Sequence, residues 1–81
     1  MVLDLDGPEP MYQQIARVIR ERIQDGTYEA NRPVPSETDV CHEFNVSRRT
    51  ARSAYVLLTK EGFIIRVPGK GTYAADVSKR S

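Results

Sequence analysis

Val46-Ser47-Arg48-Arg49-Thr50-Ala51-Arg52 is the stretch that decides how this chain reads. A serine at a helix start accepts a hydrogen bond from an amide of the first turn, and the unpaired amides behind it favour a neighbouring anion. Three arginines follow within five residues, and no acid occurs from there until Glu61. Ser47 is therefore expected to cap a helix whose amino end meets a phosphate. Arg48, Arg49 and Arg52 supply planar donor forks for phosphates and guanine edges.

Just upstream, Ser36 is expected to cap a shorter helix, with Asp39 three residues on as the reciprocal partner of a capping box. Its apolar face is Val40, Cys41 and Phe44. Asn45 then tolerates the left-handed conformation that ends one helix and turns sharply into the next. Two short capped helices joined by a three-residue turn make a helix-turn-helix. The later helix runs for about four turns and stops at Gly62. Ala51, Ala54, Tyr55 and Leu58 cluster on one side of it, while Arg49, Arg52, Ser53 and Lys60 lie on the other. The small alanines let it approach the preceding helix closely.

Further out, Tyr12, Ile15, Ala16, Ile19 and Ile23 fall at steps of three and four, with Arg17, Arg20 and Glu21 opposite. That spacing predicts an amphipathic first helix from Pro10 to a stop at Gly26. Pro33 and Pro35 hold Val34 in an extended link. Beyond Gly62, the β-branched and aromatic run Phe63 to Val67, the turn Pro68-Gly69-Lys70-Gly71 and the return Thr72 to Ala75 predict a hairpin with a basic tip. The expected architecture is α+β, mainly α, with three helices followed by a two-stranded β-hairpin. One domain covers 10–75, after a leader at 1–9 and before a polar tail or linker start at 76–81.

Length and composition agree with one small domain. The 81 residues are 40% hydrophobic and 28% charged, and a chain of this size buries only about 60% of its unfolded surface. A single cysteine excludes an internal disulfide, and no apolar run has the length of a membrane helix or signal core. The expected location is the cytoplasm. Net charge is only +1, but it is unevenly distributed. Residues 1–45 carry four arginines against nine acids, a net of −5; residues 46–81 carry eight cations against two acids, a net of +6. The carboxyl-terminal half is suited to a polyanion, and the bland alternative is a solvated basic surface. Arg48 and Arg52 have no acid three or four residues away to neutralise them on their own helix.

Other chemistries lack the residues they need. Gly69-Lys70-Gly71-Thr72 is not a phosphate loop, because Gly71 and Ile64 stand where that pattern requires Ser or Thr and Gly. Cys41 and His42 point to different faces and lack further ligands, so Cys41 is expected in the core and His42 toward solvent, with no metal. No triad, carboxylate pair or activated nucleophile is present, and neither an enzyme nor a cofactor is expected. The sequon Asn45-Val46-Ser47 has no role in a cytoplasmic helix turn. Val56 and Leu57 lie off the core stripe and are expected to pack under the leader or hairpin, the alternative being a contact surface for a second copy or a further domain.

Six separated segments together resemble a known family. They are Met-Tyr-Gln-Gln-Ile-Ala at 11–16, Asp-Gly at 25–26, Val-Pro-Ser-Glu at 34–37, the arginine stretch at 46–52, Leu-Thr-Lys-Glu-Gly at 58–62 and Gly-Lys-Gly-Thr-Tyr at 69–73. Over Pro10 to Ala75 the chain is similar to the winged helix-turn-helix of the GntR-type bacterial transcription regulators, with a wing most like that of the histidine-utilisation regulators. The resemblance implies a recognition helix in the major groove and a wing tip in the minor groove of a palindromic operator. It also implies contacts from Arg48, Thr50 and Arg52, phosphate contact near Ser36, and minor-groove approach at Gly69 and Lys70. Without β-carbons, Gly69 and Gly71 permit a tight turn and close approach to the sugar edge.

Some positions depart from the family pattern. Thr38 stands where an arginine often touches DNA, Arg49 replaces a usual Thr, and Asn31 and Asn45 replace glycines, which Asn's tolerance of positive φ allows. The carboxyl-terminal domain that binds an effector and dimerises in this family is absent from this chain. The expected function is sequence-specific binding of double-stranded DNA by a transcription regulator, a repressor, as a homodimer on its operator. The expected DNA-binding set is Ser36, Ser47, Arg48, Arg49, Thr50, Arg52, Pro68, Gly69, Lys70 and Gly71. A protein-interaction module whose basic face binds an acidic protein is the rival from another class.

Overall fold

A computed structural model describes residues 10–76, so the leader expected at 1–9 and residues 77–81 of the expected tail lie outside the described residues. The element order is α1 (Met11–Gln24), α2 (Glu37–Phe44), α3 (Arg48–Glu61), β1 (Ile64–Val67) and β2 (Gly71–Ala74). α1 has no side-chain cap; the Pro10 carbonyl accepts from the amides of Gln13 and Gln14 at 3.0 and 3.2 Å. Proline suits this position because the first helical amides have no partner within the helix.

α2 starts in the expected reciprocal box. The Asp39 amide donates to Ser36 Oγ at 3.1 Å and the Ser36 amide to Asp39 Oδ2 at 3.2 Å. Asn45 ends it in the left-handed region at φ 54°, as the sequence predicts, and Asn31 adopts the same region at φ 63°. Two residues later Ser47 Oγ accepts from the Thr50 amide at 3.2 Å and caps α3. Gly62 closes α3 at φ 83°, a conformation that costs a residue with a β-carbon about 1 kcal/mol or more.

α3 is the centre of the core. Ala51, Ala54 and Leu58 are fully buried, and Tyr55 is nearly so, in a cluster with Ile15 and Ile19 of α1, Val40 of α2, and Ile64 and Ala74 of the hairpin. The two alanines allow the close helix approach expected of them. Burying a side chain of leucine size contributes about 1.5–3 kcal/mol. The Tyr55 hydroxyl donates to the Pro35 carbonyl, and burial holds its phenol well above the usual range. One hydrogen bond thus ties α3 to the proline link that enters α2.

β1 and β2 pair antiparallel, Ile64 with Ala74 through Val67 with Gly71. Both strands are shifted slightly from expectation: Phe63 lies before β1, and β2 begins at Gly71. The link before α2 is also more than extended. The Val34 amide donates to the Thr72 carbonyl at 3.0 Å, the Ala74 amide to the Arg32 carbonyl at 2.9 Å, and Pro33 bridges Tyr73. The link therefore runs along the free edge of β2 through one isolated bridge, where proline's missing amide costs least.

Of the two apolar side chains off the core stripe of α3, the described residues cover one and leave the other open. Leu57 is half-buried against the core, but Val56 is 58% exposed. Ile65 on β1 is 49% exposed. Val56 is therefore uncovered by the hairpin, because α3 already turns its alanine and leucine stripe to that side.

Candidate nucleic-acid interface

A cleft of about 340 Å³ opens between the amino end of α2, the first turns of α3 and the hairpin. It brings together five of the ten predicted site residues: Ser36, Arg48, Arg52, Lys70 and Gly71. The capping geometry places them. α2 and α3 both begin at this end, so their capped amino termini and the first arginines face one opening. Arg48, Arg49, Arg52 and Lys70 are all exposed.

The remaining five lie at its margins or serve the fold. Ser47 Oγ is occupied by the α3 cap and sits 3.0 Å from Thr50 Oγ1, and Thr50 itself is half-buried. Arg49 faces a neighbouring groove rather than the cleft. Pro68 and Gly69 form the exposed hairpin tip. Gly69 has φ 78° and Gly71 φ 122°, while an added β-carbon at either would meet nothing within 4 Å. Backbone conformation, and not crowding within the domain, is what asks for glycine there.

The side chains of the cleft are already ordered by one another. Arg48 Nη2 donates to Thr38 Oγ1 at 2.9 Å. Arg52 is not unpartnered, as the spacing along its helix suggested. Its Nε lies 3.3 Å from Glu37 Oε1, and the other oxygen of Glu37 accepts from Arg66 Nη2 at 2.8 Å. The partner was missed because it comes from α2, 15 residues away, while the rule of neighbours at three and four sees only one helix. Arg66 and Glu37 were not singled out by sequence reasoning. A strand cation facing a helix-start acid is the signal that could have paired them, once the fold brings β1 to α2.

The energetics of this clamp matter more than its existence. The Glu37 side chain is 17% exposed, whereas Arg52 and Arg66 are 65% and 58% exposed. Ion pairs this open to solvent contribute about 0–1 kcal/mol. The clamp can orient two guanidinium groups, yet a phosphate can replace the carboxylate at small cost. One acid shared by two arginines leaves the cleft positive, with Arg48 and Lys70 adding to it.

Among the described residues no group of His, Cys, Asp and Glu is placed to hold a metal ion, and no helix is long and apolar enough to cross a membrane. His42 is exposed and Cys41 is half-buried against the core.

Comparison with known proteins agrees with this geometry. The family model described as bacterial regulatory proteins, gntR family, matches residues 11–74. The chain is 41% identical over 72 residues to the uncharacterized HTH-type transcriptional regulator YurK of Bacillus subtilis (strain 168), covering 89% of this chain and 30% of that protein. It is 34% identical over 76 residues to the histidine utilization repressor of Pseudomonas putida, covering 94% of this chain and 31% of that protein. Among solved structures, the AraR DNA-binding domain in complex with operator ORX1 superposes with a TM-score of 0.83 at 32% identity, covering 93% of this chain and 95% of that one. The chain thus spans about a third of the length of these curated relatives.

Proposed function

The chain belongs to the gntR family of bacterial regulatory proteins, and on that premise we propose that it is the sequence-specific, double-stranded DNA-binding part of a transcriptional repressor. α3 enters the major groove with its capped end first. Arg48, Arg52 and Thr50 meet bases or phosphates there, and Ser36 and Ser47 lie beside the backbone. The tip Pro68-Gly69-Lys70-Gly71 reaches the adjacent minor groove. The observation that carries this reading is the single cleft shared by two capped helix starts and the hairpin, lined by Arg48, Arg52 and Lys70. The operator-bound relative, nearly the whole of which this chain matches, supports the DNA-binding reading.

One such module contributes limited contact area, so the reading includes a homodimer on a palindromic operator. In the whole protein a further domain binds an effector and holds the dimer together. The test is fluorescence anisotropy with a random duplex pool, then with the site selected from it, over a range of salt. About four phosphate contacts per module give a log–log slope near −4 per half-site. A flat salt response at measurable affinity, or no binding to any duplex at low salt, overturns the proposal. Solution mass checks the dimer: one chain alone and two on the selected duplex is the expected result.

A further inference from the structure

A second groove, of about 600 Å³, lies between the first turn of α1 and the exposed side of α3. Its floor is Tyr12, Val56 and Leu57, and its rim carries Arg49, Arg52 and Lys60. Val56 is 58% exposed there. Among the described residues neither Arg49 nor Lys60 forms an ion pair. An apolar floor with cationic walls fits a short segment that is both apolar and acidic.

The chain carries one such segment next to the groove. Residues 1–9 read Met-Val-Leu-Asp-Leu-Asp-Gly-Pro-Glu, with three acids and no lysine or arginine. They join the fold at Pro10, two residues before Tyr12 on the groove floor. In an extended chain Leu3 and Leu5 face one way and Asp4 and Asp6 the other. Nine extended residues span at most about 30 Å. The α3 side of the groove, from Arg49 to Lys60, is only about 16 Å at the helical rise.

We propose that residues 1–9 dock in this groove, Leu3 and Leu5 covering Val56 and Leu57, with Asp4 and Asp6 held by the long side chains of Arg49 and Lys60 at the rim. Resting on the DNA-binding reading for its consequence, the docked leader competes with DNA at the rim where Arg52 lines both the groove and the first cleft. A leader docked about nine-tenths of the time weakens apparent affinity about tenfold.

The full chain tests this by methyl NMR of Val56 and Leu57 together with binding to the random duplex. L3S/L5S leaves charge unchanged. It should move both methyl signals at every protein concentration and tighten duplex binding toward tenfold. D4N/D6N should tighten binding more than the charge-matched control E21Q/E29Q, whose acids lie outside the groove. Methyl signals unmoved by L3S/L5S overturn the docking, as do signals that shift only with protein concentration, which assign the groove to a second copy. Equal gains from D4N/D6N and the control, with none from L3S/L5S, overturn the competition. If no variant binds duplex, the DNA-binding reading fails by itself, and the methyl signals still decide the docking.

Discussion

Arg22 of α1 and Arg52 of α3 are the same residue type in opposite situations. Arg22 donates to Glu43 at 2.6 Å and to the Tyr28 hydroxyl at 2.7 Å, and lies over the rings of Tyr28 and Phe44. Its side chain is 26% exposed, and the bond to Glu43 is the main cause that raises its guanidinium above the usual arginine range. Arg20 is used similarly, 2.5 Å from Glu61 and over the Phe63 ring. Arg52 has one long contact and is 65% exposed. Stacking and short bonds make these two α1 arginines part of the fold. Weak, open contacts leave those of α3 ready to change partner.

That contrast can be broken by substitution. The largest effect should come from Arg52→Ala, which costs about 1–3 kcal/mol of affinity on the selected site and leaves the melting temperature nearly unchanged. If the loss is uniform over all duplexes, Arg52 anchors a phosphate; if it is confined to the selected site, it reads a base. Arg22→Ala should do the reverse. It removes an ion pair and two ring contacts, lowers stability by about 1 kcal/mol and leaves salt-dependent binding intact, as thermal melts and anisotropy would report. A loss of binding equal to that of Arg52→Ala would erase the distinction.

Glu37→Gln sharpens it. Removing an exposed clamp should change stability by less than about 0.5 kcal/mol, so a large drop in melting temperature would show that Arg52 belongs to the fold after all. The smallest effect concerns Asp25 at the end of α1, whose carboxylate accepts from the hydroxyl and amide of Thr27 at 2.6 and 2.8 Å. These bonds, the hydroxyl's first, hold it below the usual carboxylate range. A lowered folded value means that its contribution is complete above the unfolded value of about 3.9 and is lost as pH falls through the folded one. Asp25→Asn should flatten that acid limb slightly in pH-dependent melts.

Local chemistry made much of this fold legible. The box at Ser36 and Asp39, the left-handed Asn45, the cap at Ser47 and the stop at Gly62 are each decided within a few residues. The α3 stripe of Ala51, Ala54, Tyr55 and Leu58 followed from helical periodicity alone. What escaped was non-local. The Glu37 clamp joins residues 15 and 29 positions apart. The pairing of the proline link with β2 depends on where the hairpin lands, and no pattern within 31–34 encodes it. The sequence allows two places for Val56, because an apolar residue beside a core stripe can fall on either side of the rim.

The link at 31–34 has one more implication. Its bonds to Thr72 and Ala74 fasten the hairpin to the segment leading into α2 by main-chain atoms alone. The distance from the hairpin to the start of α2 is therefore a ruler made of backbone. Side chains along it can be exchanged during descent without altering the interval they span.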